Sequence, residues 1–126
     1  MNQEQAMVKK FHEKFGFTIN ETPTQIDSEL GRIRHWHTEF EMAELKVAII
    51  QEDLVKIADA LADVQYFIYG TAVAYGIDLE PVFAEVHRSN MTKDRPDPKQ
   101  YIDAKAVKGP DYTPPDIASI INGGER

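Results

Sequence analysis

Apolar residues recur along most of this chain at the three- and four-residue intervals of helices, and glycine marks where several runs stop. Met7, Val8, Phe11 and Phe15 fall at helical spacing and Gly16 follows them, which predicts a short amphipathic helix over about 3–15. Residues 17–21 read as a brief extended connector. Thr22-Pro23-Thr24-Gln25 has the pattern of a capping box with proline at the first helical position. It predicts a long second helix from about Pro23 to Ile50, whose buried stripe is Ile26, Leu30, Ile33, Trp36, Phe40, Ala43, Val47 and Ile50. A turn near Gln51, with Asp53 as cap, opens a third helix over about 54–75, closed by Gly76. Asp78 caps a fourth, from Leu79 to about Met91, with Pro81 tolerated in its first turn.

Beyond Thr92 the pattern breaks. Pro96, Pro98, Pro110, Pro114 and Pro115 exclude a long helix, while Tyr101, Ile102, Val107, Tyr112 and Ile117 offer apolar anchors. The expectation is one all-α domain over 1–126. It is a bundle of four main helices plus a short last helix near 115–121, with an irregular proline-rich tail (92–126) packed across it.

The third helix carries a conflict. From Ala58 to Ala74 nearly every residue is apolar or small on every side, so the helix is predicted to be buried all round. Asp59 and Asp63 nevertheless sit within it at i, i+4, on one face. Buried charges persist when paired, hydrogen-bonded or bound to metal. The second helix has its own acidic pair, Glu41 and Glu44 at i, i+3. Counted outward from the turn near Gln51, Glu44 and Asp59 fall roughly 11–12 Å from it, and Glu41 and Asp63 pair one turn further on. Four acids in register on neighbouring helices would repel one another if empty. Hard oxygen ligands of this kind suit Mg²⁺, with Mn²⁺ as a substitute, and Mg²⁺ commonly bridges to phosphate oxygens.

Composition narrows the field. The chain has 126 residues, 42% of them hydrophobic and 28% charged, and a net charge of −7. That sign argues against nonspecific binding to nucleic acid or to an anionic membrane. The absence of cysteine excludes disulfides, thiolate zinc sites and cysteine nucleophiles. The first residues lack the basic and apolar regions of a signal peptide, and the longest near-apolar run, 66–77, is too short to span a bilayer. A soluble cytoplasmic protein is expected. Two long helices, one apolar all round, carry too much apolar surface for a monomer of this size. A homodimer or dimer of dimers is therefore expected, with the active site near the subunit boundary.

The segments Glu41-Met42-Ala43-Glu44-Leu45 and Ala58-Asp59-Ala60-Leu61-Ala62-Asp63-Val64-Gln65-Tyr66 resemble the all-α nucleoside triphosphate pyrophosphohydrolases, the MazG-like and phosphoribosyl-ATP pyrophosphohydrolase-like superfamily. The resemblance continues through Tyr69-Gly70-Thr71-Ala72, Gly76-Ile77-Asp78, the distinctive Val86-His87-Arg88-Ser89-Asn90-Met91-Thr92-Lys93 and Lys108-Gly109-Pro110-Asp111-Tyr112. It implies an enzyme that uses Mg²⁺ to cut a nucleoside triphosphate to the monophosphate and pyrophosphate. Glu41, Glu44 and Asp63 match the family's catalytic, metal-binding carboxylates. Asn90 and Lys93 match positions associated with the substrate's phosphate or sugar. Two positions depart from the common pattern, Phe40 and Ala60, where many members carry glutamate. Asp59, one residue before Ala60, is the nearest acid to the second gap.

With the resemblance in hand, Glu41, Glu44, Asp59 and Asp63 are expected to hold the cation, and one of them to accept a proton from water. Lys93 is expected to reach phosphate and Asn90 a base or ribose, against the plainer reading of a helix end with a solvated lysine. Arg88 and Arg95 are further phosphate candidates. His35 and His37, two apart on a helix, face different ways; Trp36 reads as core. Two alternatives stand beside this reading, a phosphoribosyl-ATP pyrophosphohydrolase of histidine biosynthesis and a noncatalytic helical interaction module.

Overall fold

The computed structural model describes residues 1–96 and 105–123. Among them the chain is all-helical: α1 (Gln3–Phe15), α2 (Ser28–Ile50), α3 (Leu54–Tyr75), α4 (Leu79–Asn90) and α5 (Ile117–Ile121). One isolated antiparallel bridge joins Asp94 to Val107. Four main helices and a short last one agree with the hydrophobic pattern. Pro98 and the expected anchors Tyr101 and Ile102 lie outside the described residues. The chain divides into two compact units, Met1–Leu79 and Glu80–Arg126.

The first unit is built on α1, α2 and α3. Asn2 caps α1 by accepting from the Gln5 amide, and Gly16, at φ 71°, ends it in the left-handed region. Helix α2 starts at Ser28 rather than Pro23, with the Asp27 carboxylate accepting from the Leu30 amide. The Thr22–Gln25 pattern is not a cap, because the end of α3 uses that stretch differently. Asn20 N donates to Val73 O at 3.1 Å and Thr24 N to Tyr75 O at 2.9 Å. Asn20 Nδ2 donates to Ala74 O at 2.7 Å. These bonds satisfy carbonyls that a helix C-terminus otherwise leaves open. Gly76, at φ 70°, closes α3, and a Cβ there would overlap the Thr22 carbonyl.

The α2–α3 turn is tight. Asp53 accepts from the amides of Val55 and Lys56 at the head of α3, and Glu52 at the tip sits at φ 53°. The buried apolar side chains of this unit are small apart from the two valines: Val8, Ala48, Ala60, Ala72, Val73 and Ala74. Gln5, only 2% exposed, donates to Ile77 O at 2.7 Å and accepts from Leu79 N at 3.1 Å.

Two burial expectations are corrected. Most of the apolar stripe of α2 faces outward: Trp36 is 63% exposed, and Ile33, Phe40, Val47 and Ile50 are exposed as well, while Leu30 alone of its helical large side chains is half-buried. The shielded face of α2 carries Leu30, Arg34, His37, Glu41, Leu45 and Ala48, again at helical spacing but with polar members. Helix α3 is not buried on all sides either. Leu54 is 81% exposed and Val55 79%, and burial concentrates at Ala60 and over Gly70–Ala74. Two neighbouring helices cover only part of its perimeter, and the small residues mark where they approach.

In the second unit the tail is fastened to α4 chiefly by hydrogen bonds. Buried Ser89 donates to Thr113 O at 2.8 Å, and Thr113 N donates to Thr92 Oγ1 at 2.9 Å. Arg88 holds Glu85 through Nε at 2.7 Å and reaches Thr113 Oγ1 at 2.6 Å and Pro114 O at 3.0 Å. Glu85 also accepts from Asp116 N at 2.7 Å, just where Asp116 caps α5. Among the described residues no helix is long and apolar enough to cross a membrane.

Candidate functional site

Because α2 and α3 are joined by a tight turn, they run antiparallel, and residues equally far from Gln51–Asp53 come level. Glu41 and Glu44 on α2 and Asp59 and Asp63 on α3 all line one open recess of about 550 Å³. Glu41 and Asp63 are half-buried; Glu44 and Asp59 are exposed. The two positions that depart from the family pattern, Phe40 and Ala60, line the same recess. Ala60 is buried, and its small side chain leaves room beneath the acids.

The charges are uncompensated. Among the described residues none of the four acids is in a salt bridge. Lys56, the basic residue in the lining, donates to Gln51 Oε1 at 3.3 Å. Partial burial raises the Glu41 pKa above its ordinary value, and the charges of Asp63, Glu44 and Asp59 push the same way. Among the described residues no three His, Cys, Asp or Glu side chains are gathered tightly enough to hold an ion as they stand. The recess is thus an acidic basin rather than a closed cage. Its donor chemistry fits a hard divalent cation, since every acid offers oxygen and, among the described residues, Lys56 in the lining is not paired with any of them.

Residues 8–90 match the family described as phosphoribosyl-ATP pyrophosphohydrolase. The chain belongs to that family. The phosphoribosyl-ATP pyrophosphohydrolase family is part of the all-α nucleoside triphosphate pyrophosphohydrolase superfamily, so the chain is a pyrophosphohydrolase, acting on phosphoanhydride bonds. Enzymes of the phosphoribosyl-ATP pyrophosphohydrolase family generally depend on a divalent metal. The matched stretch takes in both acidic pairs and ends at Asn90; Lys93 and Arg95 lie beyond it. No curated protein matches the chain.

The other candidates stand apart from one another in character. Asn90 is the exposed last residue of α4, Lys93 is half-buried in the turn after it, and Arg95 is exposed. Lys93 N donates to Asn90 O at 3.1 Å. Arg88 is engaged by Glu85, Thr113 and Pro114, so its donors serve the tail. Trp36, read as core, is exposed. The sequence reading passed over Arg34 and His12. Arg34 shares the inward face of α2 with His37 and Glu41 at i, i+3, i+7, and that spacing was the available signal.

Proposed function

We propose that this chain is a Mg²⁺-dependent nucleoside triphosphate pyrophosphohydrolase, converting a (deoxy)nucleoside triphosphate and water to the monophosphate and pyrophosphate. The observation that supports this reading is the convergence of four carboxylates from α2 and α3 on one recess, none of them in a salt bridge among the described residues. Glu41, Glu44, Asp59 and Asp63 would hold the cation. When bound, Mg²⁺ (or Mn²⁺) supplies neutralisation of phosphate charge and makes a nearby water more acidic. Glu41 belongs to the catalytic set, and whichever carboxylate of that set the cation leaves free would accept the proton of the attacking water. The water oxygen bonds to phosphorus, the anhydride linking the α- and β-phosphates breaks, and pyrophosphate leaves. Glu44 and Asp63 complete the catalytic set. Asn90, Lys93 and Arg95 are proposed substrate contacts on the strength of the resemblance; the partners of Arg88 favour a structural duty instead.

The test is pyrophosphate release with and without Mg²⁺ across a panel of ribo- and deoxynucleoside triphosphates and phosphoribosyl-ATP. Mg²⁺-dependent release from the triphosphates supports the reading. The family match itself favours a second one, phosphoribosyl-ATP as substrate. A kcat/KM for that compound tenfold above the triphosphates would select it. Release from no substrate would leave a noncatalytic helical module.

A homodimer, alone or paired into a dimer of dimers, would account for the exposed Trp36, Phe40, Val47 and Ile50 of α2 and for Leu54 and Val55. Phe40 belongs both to that exposed set and to the acidic recess, so such a dimer would have the proposed site beside its subunit boundary. Light scattering coupled to size-exclusion chromatography reads the assembly directly. A cytoplasmic location is part of the same proposal.

A further inference from the structure

Beside the acidic recess lies a second one that the proposed reaction leaves unused. It is open, about 500 Å³ in volume, and walled by the rings of Phe11, Phe17, Tyr66 and Phe67. Phe11 meets Tyr66 edge-on at 5.3 Å, yet Phe11, Phe17 and Tyr66 are all exposed, so their rings line open space. His37 also borders it, against Phe67 at 5.6 Å. Both recesses are lined by residues of α2 and α3. On α2, His37 precedes Glu41 by four residues; on α3, Phe67 follows Asp63 by four. About one helical turn, ~5.4 Å, therefore separates aromatic walls from acids on both helices.

The polar groups of this pocket are unusual for an apolar crevice. Arg34 is half-buried, its Nε donating to Thr71 Oγ1 at 2.9 Å and its Nη2 to Phe67 O at 3.3 Å. Among the described residues no carboxylate pairs with it and Nη1 has no hydrogen-bond partner. Its guanidinium crosses α3 at Gly70, where a Cβ would overlap Nη2. Glycine is disfavoured inside helices, so this one makes the space for that cation. His12 is 2% exposed, with Nδ1 at 2.8 Å from Thr18 O. A carbonyl only accepts, so Nδ1 carries the hydrogen. Burial above all, with the charge of Arg34, lowers the pKa of the ring and so favours its neutral form, while the Thr18 carbonyl pulls the other way. Nε2 is then a bare acceptor, beside the guanidinium over Gly70.

Flat aromatic walls with a cationic donor and a neutral acceptor side by side are the chemistry that receives a nucleobase, whose face stacks and whose edge offers both an acceptor and an N–H. An apolar segment in the same place would seal Arg34 away without a counter-charge. We propose that this pocket binds the base of the nucleotide whose phosphates lie at Glu41, Glu44, Asp59 and Asp63, with Arg34 and His12 reading its edge. The proposal rests on the pyrophosphohydrolase reading above for the position of the phosphates.

The histidines provide the test, because His12 and His37 border the pocket while His35 and His87 do not. The full chain, freed of divalent cations, is titrated with uridine, cytidine, adenosine and inosine while the histidine ring signals are followed by NMR. At least one nucleoside should move the His12 and His37 signals saturably and leave those of His35 and His87 in place, and ribose alone should move none. Arg34→Met, with helical circular dichroism unchanged, should weaken that nucleoside at least ~tenfold. No saturable shift of His12 and His37 with any nucleoside, an equal shift with ribose, or undiminished binding by folded Arg34→Met would overturn the proposal. If that variant does not fold, the titration of the unaltered chain decides. With neither phosphate nor cation present, a negative result leaves the acid-recess reading standing. Loss of pyrophosphate release with the nucleoside shifts intact would remove the acid reading alone.

Discussion

Glu41 on α2 and Asp63 on α3 line the same recess, and the charge of Asp63 adds to burial in raising the Glu41 pKa. This relationship has a thermodynamic consequence. A carboxyl whose folded pKa lies above its ordinary value of 4.5 favours the folded state while protonated. That contribution is full below the ordinary value and is lost as pH rises through the raised one. At neutral pH the ionised Glu41 therefore opposes folding until a cation screens it. Mg²⁺ at tenfold excess over its Kd should stabilise the chain by about 1.4 kcal/mol at pH 7.5. The melting temperature should rise on the order of 5 °C. Near pH 4 the increment should fade. Equal increments at both pH values would count against this account of the recess.

Asp63→Asn and Glu44→Gln should each lower Mg²⁺-dependent turnover by a factor on the order of 10² or more, since the cation is asked for several kcal/mol of charge stabilisation. The helical circular dichroism should stay unchanged, because neither side chain bonds to any other part of the described chain. Turnover that survives either change would remove that residue from the catalytic set.

Gln5 bridges a carbonyl and an amide around Ile77–Leu79 from a buried position. Gln5→Ala should cost about 1–3 kcal/mol in urea unfolding by stranding both groups. A change within a few tenths of a kcal/mol would mean that water replaces the side chain.

Glu52 sits at φ 53° at the tip of the α2–α3 turn, a conformation that a non-glycine residue adopts at a cost. Glu52→Gly should raise stability by up to about 1 kcal/mol with the turn unchanged. Destabilisation would show that the Glu52 side chain contributes more than its backbone strain costs.

Much of the fold was legible in the pattern. Gly16, Asp53 and Gly76 marked their helix ends because caps are local chemistry, and α1 and α3 start and stop where those residues say. The start of α2 was not legible. Thr22–Gln25 imitates a cap, but the open carbonyls of α3, fifty residues downstream in sequence, claim Asn20 and Thr24. The face of α2 was misread for a related reason. Hydrophobic periodicity finds the most apolar stripe, and here that stripe carries Trp36 and Phe40 on the surface while the inward face holds Arg34, His37 and Glu41. The acidic recess survived this error, because its register depends on distance from the turn and not on which stripe is buried. The aromatic pocket around Arg34 did not emerge, because it joins α1, α2 and α3, and spacing along one helix says nothing of the other two.

Whether acids from α2 and α3 gather one cation is read out by Mn²⁺ binding followed by electron paramagnetic resonance. Saturable binding by the unaltered chain, weakened at least tenfold in Asp63→Asn and likewise in Glu41→Gln, is the expected result. Binding of the same strength in both variants, or none in the unaltered chain, would contradict it.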